Sequence, residues 1–149
     1  MSFATPQHDF ADKPRAYGAL ARDLESLLAG ERNGIANMAN AAALIFAVLP
    51  DLNWAGFYLP AMSASGSREL VVGPFQGKPA CVRIAMGRGV CGTAAVRRAT
   101  LVIPDVDAFD DRIVPARRGR EAIEMLVVGN PEVGFVGAEG LHDLGVALY

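Results

Sequence analysis

The sequence has few of the residues on which several classes of protein depend. It contains two cysteines and two histidines in 149 residues, which argues against a disulfide scaffold and against a zinc site. Its longest apolar run, Ala41–Leu49, is much shorter than the ~20 residues that a membrane-spanning helix needs. The formal net charge is −2, so the basic excess typical of nucleic-acid-binding proteins is missing. Residues 1–13 include no apolar stretch, so we expect no signal peptide, a cytoplasmic location and reduced thiols.

The composition is that of a folded domain. Hydrophobic residues make up 52% of the chain and charged residues 20%, which excludes intrinsic disorder. The length fits one domain of ordinary size. We therefore predict a loose N-terminal arm over residues 1–12 and a single domain over residues 13–149.

The order of the periodic segments predicts an α+β fold. Apolar residues at helical spacing predict a first helix that begins near Pro14 and stops at Gly30, and a second helix over about Glu31–Leu49. Short strand patterns follow, beginning with Trp54–Leu59. The stretch Gly73–Ala80 is rich in glycine and proline and predicts a loop. Helices followed by short strands with tight connections favour an antiparallel sheet flanked by helices.

The residues with the most chemical information lie between Gly73 and Ala94. Both cysteines of the chain, Cys81 and Cys91, fall in this segment. Cys91 lies in the first turn of a predicted helix over Val90–Arg98, where unpaired N–H groups and the helix dipole favour a thiolate. The alternative is that both cysteines are small buried apolar residues, although the glycines around them favour a chemical role.

Two aromatic residues of the first predicted strand are candidates for a pocket wall. Trp54 and Tyr58 are four positions apart and therefore lie on the same face of that strand. Each combines an apolar ring with a polar group. The pattern Gly87-x-Gly89-x-x-Gly92 matches a dinucleotide fingerprint, but it lacks the long helix and the repeated βαβ units that this fold requires.

Several long motifs resemble the free methionine-(R)-sulfoxide reductases, a family of single-domain enzymes with a GAF fold. Gly-Pro-Phe-Gln-Gly-x-Pro-Ala-Cys ends at Cys81, and Gly-x-Gly-Val-Cys-Gly-Thr-Ala begins at Gly87. The strand Asn53–Tyr58 and the segment Val102–Phe109 also resemble the family. The resemblance is close from about Tyr17 to Phe109.

The resemblance implies reduction of free methionine-(R)-sulfoxide to methionine by thiol and disulfide chemistry. In the family, the cysteine matched by Cys81 resolves the sulfenic acid, and the one matched by Cys91 is auxiliary. A thioredoxin-type reductant then restores the thiols, with no metal or bound cofactor. Trp54 and Tyr58 match an apolar wall for the S-methyl group, and Glu121 is the nearest match to a glutamate that contacts the substrate. A homodimer is an accompanying expectation.

The C-terminal third, residues 110–149, departs from the family pattern. The family's attacking cysteine lies in a His-Ile-x-Cys-Asp segment, for which this chain has Arg112–Ala116 with proline at position 115. The family's C-terminal helix also has no counterpart in the sequence. A shifted reading frame and true divergence both explain these differences. Without the attacking thiol we expect much weaker catalysis unless Cys91 replaces it. The alternative function is a non-catalytic GAF module that binds a small molecule and acts through dimerisation.

Overall fold

The computed structural model describes residues 4–99, 101–103, 109, 125–130 and 134–136. The predictions for Glu121, for Arg112–Ala116 and for a missing C-terminal helix lie outside these residues. Among the described residues, the expected arm contacts the first helix: the His8 ring lies 2.7 Å from the Asp23 carboxylate, and Phe10 packs edge-on against Tyr17.

Two helices open the fold, as predicted. Helix α1 spans Lys13–Leu28, and the Asp12 side chain caps it by accepting a hydrogen bond from the Arg15 N–H. Helix α2 spans Gly34–Val48. It begins three residues later than the predicted Glu31 because Asn33 caps it, accepting from the N–H groups of Ile35 and Ala36.

The remaining elements form one six-stranded sheet and a third helix. The strand order is β3-β2-β1-β5-β6-β4, and every described strand pair is antiparallel. This confirms the predicted α+β class. The bounds are β1 Trp54–Met62, β2 Arg68–Gly77, β3 Arg83–Ala85, α3 Gly89–Arg97, β4 Val102–Ile103, β5 Met125–Asn130 and β6 Gly134–Val136.

Strand β2 is longer than predicted. The expected loop over Gly73–Ala80 is wrong in its first half, because β2 continues through Gly77 and pairs with β1 there. The register shifts between Gly56 and Tyr58 of β1. Such an irregularity is one of the few places where a sheet accommodates a proline, and Pro74 lies opposite it. Pairing with the long strand β1 therefore overrides the local turn signals.

The two faces of β1 contact different parts of the fold. Ala55 and Phe57 pack against α1 and α2 in one buried cluster, which we call the helix-covered face. Trp54 and Tyr58 belong to a second cluster with Leu70 of β2 and with the α3 region, which we call the thiol face because Cys91 packs against it. Alternation along one strand thus separates the main core from the candidate site.

Candidate functional site

Aromatic rings line the thiol face. Trp54 and Tyr58 lie on the same side of β1, as their spacing predicts, and their ring centroids are 5.8 Å apart with a 28° interplanar angle. Phe75 of β2 also stacks on Trp54, with the two ring centroids 5.5 Å apart. The position of Phe75 in this stack was not predicted, because the glycines and prolines around it indicate a loop. The three rings form one stacked group, which we call the aromatic wall.

Gly56 makes this stack possible. A Cβ atom at position 56 would lie 2.2 Å from the Phe75 Cβ and 2.8 Å from the Trp54 ring. Only a residue without a side chain lets the indole and the phenyl ring close over the strand. In the sequence, the spacing of Trp54 and Gly56, two positions apart on one strand, is the pattern that could have indicated this arrangement.

Trp54 carries a buried hydrogen-bond donor with no partner. The residue is 7% exposed, and its Nε1 atom is buried without a hydrogen bond to any described part of the chain. Leaving such a group unsatisfied costs about 1–3 kcal/mol. The Nε1 atom is itself closed to solvent, so a polar atom of a small molecule would reach it only after the surrounding rings move.

Tyr58 connects the aromatic wall to the first cysteine. Its hydroxyl donates a hydrogen bond to the Cys81 carbonyl oxygen at 3.0 Å. Burial raises the pKa of Tyr58 to about 12, and the charges of Cys91 and Cys81 contribute further. The phenol therefore stays protonated at neutral pH and holds the Cys81 main chain in place.

Cys91 lies in the first turn of α3, as predicted, but its predicted ionisation is wrong. Burial raises the pKa of the Cys91 thiol from 9.0 to about 11. A hydrogen bond from its own backbone N–H lowers the pKa, as expected at a helix start, and the nearby Cys81 charge raises it again. Desolvation outweighs the helix terminus here, so Cys91 is a protonated thiol at neutral pH.

Cys81 has the opposite environment. It lies in the irregular segment between β2 and β3, and its side chain is exposed. Both cysteines are free thiols. The alternative that both are buried apolar residues is therefore wrong for Cys81.

The glycines near Cys91 have a structural explanation. Gly87 and Gly89 have positive φ angles, and a Cβ atom on Gly92 would lie 2.5 Å from the Ala85 carbonyl oxygen. These glycines allow the first turn of α3 to pack closely against the end of β3. Their density alone is not evidence of chemistry.

The part of the chain that the structure describes gives little evidence for a metal site or for a membrane-spanning helix. No cluster of three or more histidine, cysteine or acidic side chains is placed there to hold a metal ion. None of the described helices is both long enough and apolar enough to cross a bilayer.

Comparison with known proteins identifies relatives along most of the chain. The free methionine-R-sulfoxide reductase of Escherichia coli is 47% identical over 124 residues, which cover 83% of this chain and 72% of that protein. A structure of the Neisseria meningitidis free methionine-R-sulfoxide reductase in complex with its substrate is 35% identical, with a TM-score of 0.63 over 91% of this chain and 80% of the other. A putative GAF sensor protein from Burkholderia vietnamiensis is 45% identical, with a TM-score of 0.62 over 85% and 78%.

No protein-family model matches the sequence. The identity to the Escherichia coli enzyme and its coverage nevertheless establish the relationship, and the structural neighbours show the fold. The chain has the GAF fold and belongs to the free methionine-(R)-sulfoxide reductase family.

Proposed function

We propose that this chain reduces free methionine-(R)-sulfoxide to methionine, using Cys81 and Cys91 as its two thiols. The observation that carries the proposal is the buried Nε1 of Trp54, which has no hydrogen-bond partner among the described residues and lies on the face of the sheet against which Cys91 packs. The family relationship supports the same reaction.

The aromatic wall suits the sulfur end of this substrate. The stacked rings of Trp54, Tyr58 and Phe75 offer an apolar surface for the S-methyl group. The indole N–H supplies a donor for the sulfoxide oxygen, which is a strong acceptor. The substrate ammonium needs an acidic partner, for which Glu121 remains the candidate from the resemblance.

The reaction balances with two thiols and no bound cofactor. Two cysteine thiols and one sulfoxide give methionine, water and a disulfide between Cys81 and Cys91. A thioredoxin-type dithiol then reduces the disulfide by exchange. A cytoplasmic location and a homodimer remain predictions, and sedimentation velocity tests the second.

Turnover of a defined substrate tests the proposal. We expect the reduced full chain to form methionine from the free (R)-sulfoxide with dithiothreitol as reductant, and to leave the (S)-epimer unchanged. The matched control is the double variant Cys81→Ser/Cys91→Ser, which should be inactive. Trp54 is the only tryptophan, so its fluorescence reports binding separately. Binding without turnover would reject the reductase and support the non-catalytic GAF module.

The third cysteine of the family suggests a gain-of-function test. The resemblance matches Pro115, outside the described residues, to the family's attacking cysteine. We expect Pro115→Cys to raise turnover by about tenfold or more, equivalent to at least ~1.4 kcal/mol off the barrier. Val114→Cys, one position away, is the control and should have a smaller effect. Equal rates for the two variants and the parent chain would show that the resemblance does not extend to this segment.

A further inference from the structure

We propose that Cys81 is the attacking nucleophile of this chain and that Cys91 resolves the product of that attack. This inference rests on the proposed function and differs from the resolving role that the resemblance implies for Cys81. The chain has two cysteines in total, and both are described. A thiol attack therefore begins at one of these two residues.

Ionisation and access favour Cys81. The thiolate is the reactive form of cysteine, and a thiol with a pKa of about 11, such as Cys91, is ionised in only about one molecule in ten thousand at pH 7. Cys81 is exposed, so water solvates a charge on its sulfur. Exposure also leaves that sulfur open to a small substrate and to an external reductant.

Cys81 is exposed and yet held in position. Its carbonyl oxygen accepts the hydrogen bond from Tyr58, which is 4% exposed and stacks on Trp54. The main chain at the nucleophile is therefore tied to the same aromatic wall that carries the unpartnered indole N–H. A substrate whose oxygen accepts from that N–H would place its sulfur within the same site.

Electrostatics then favour a sequence of two steps. Burial disfavours a charge on the Cys91 sulfur, and a charge on Cys81 opposes it further, so we assign the attack to the exposed sulfur of Cys81. The Cys81 thiolate forms a bond to the sulfoxide sulfur while the oxygen takes up a proton. The sulfur–oxygen bond and the transient sulfur–sulfur bond then break, the hydroxyl passes to the Cys81 sulfur, and methionine departs to leave the Cys81 sulfenic acid. That product is neutral, so the smaller contribution of the Cys81 charge to the raised pKa of Cys91 is removed, while desolvation, the larger cause, remains. The Cys91 sulfur then bonds to the Cys81 sulfur, and water is released.

Single-turnover assays with the reduced full chain and no added reductant test these roles. The parent chain should form close to one methionine per chain and lose both free thiols. Cys91→Ser should also form one methionine per chain but leave a Cys81 sulfenic acid, which dimedone traps for detection by mass spectrometry. Cys81→Ser should form at least tenfold less methionine. Circular dichroism checks that each variant is folded, and Cys91→Ala is the second variant if serine destabilises the buried position.

The outcomes separate the two proposals. If Cys81→Ser keeps the full methionine yield, or if both Cys91 variants are folded and form none, the assigned roles are overturned while the reductase function stands. If the parent chain forms no methionine, the proposed function fails instead. Alkylation gives a readout that does not depend on activity: at pH 7.5 iodoacetamide should modify the Cys81 peptide at least tenfold faster than the Cys91 peptide. Equal rates would overturn the assignment.

Discussion

The two faces of strand β1 differ in the partners that the described part of the chain provides for their buried side chains. On the helix-covered face, Phe57 is completely buried among aliphatic side chains of α1 and α2. On the thiol face, Trp54 is almost as buried, but its Nε1 atom has no hydrogen-bond partner among the described residues, and the protonated thiol of Cys91 packs against the same face. Under the proposed function, one strand therefore contributes to stability with one side and to substrate binding with the other. Substitutions on opposite sides of β1 should accordingly change different properties.

The largest expected effect on stability comes from the helix-covered face. Phe57→Ala removes a ring that is 0% exposed, and we expect a loss of about 3–5 kcal/mol in the free energy of unfolding. Urea denaturation followed by circular dichroism measures it. Val82→Ala, at a side chain that is 63% exposed, is the control and should cost less than about 0.5 kcal/mol. Similar losses for the two variants would contradict the assignment of the main core.

Because of Cys91 on the thiol face, the free energy of unfolding should decrease at alkaline pH. The unfolded Cys91 thiol loses its proton near pH 9, whereas the folded thiol keeps it until about pH 11. Above pH 9 the unfolded state therefore binds fewer protons, and stability falls as the pH rises from 9 to 11. The loss due to Cys91 is at most about 3 kcal/mol.

Comparison with Cys91→Ala measures the Cys91 contribution together with the part of the Tyr58 shift that the Cys91 charge causes, because the other titrating groups are common to both proteins. The difference in unfolding free energy between the parent chain and Cys91→Ala should be constant from pH 7 to 8.5 and shift in favour of the variant between pH 9 and 11. Urea unfolding at each pH measures this difference. A difference that does not change with pH would show that Cys91 is not desolvated.

Close packing on the thiol face should be sensitive to a single added carbon. Gly56→Ala places a Cβ atom against Phe75 and the Trp54 ring, so the aromatic stack must open. We expect a cost of about 1–3 kcal/mol, together with weaker substrate binding and a shifted Trp54 emission maximum. Gly34→Ala is the matched control, because a Cβ atom there meets nothing within 4 Å. Unchanged stability and unchanged emission in Gly56→Ala would contradict the stacked arrangement.

Sequence patterns predicted the parts of this fold that depend on local periodicity. The two opening helices and the shared face of Trp54 and Tyr58 followed from residue spacing alone. The extension of β2 did not, because the glycines and Pro74 are local turn signals and only pairing with β1 makes them a strand.

The ionisation state of the Cys91 thiol could not be predicted from the local sequence either. The helix start that favours a Cys91 thiolate is visible in the sequence, whereas the burial that opposes it depends on residues distant in the chain. The sign of a pKa shift follows from the larger of two opposed effects, and only the tertiary structure shows which is larger.

The smallest expected change in stability belongs to the residue with the largest expected effect on binding. Trp54→Phe keeps an aromatic ring and removes the unpartnered N–H. The smaller ring packs less completely, but removal of an unsatisfied donor offsets that cost, so we expect the free energy of unfolding to change by less than about 1 kcal/mol. Affinity for free methionine-(R)-sulfoxide should fall roughly five- to tenfold, the value of one hydrogen bond. Calorimetric titration in the Cys81→Ser/Cys91→Ser background, which prevents turnover, measures this affinity, and methionine is the control ligand because it lacks the sulfoxide oxygen. If Trp54→Phe weakens binding of the sulfoxide but not of methionine, the sulfoxide oxygen contacts the indole N–H. If it weakens binding of both ligands equally, or of neither, the proposed hydrogen bond is wrong.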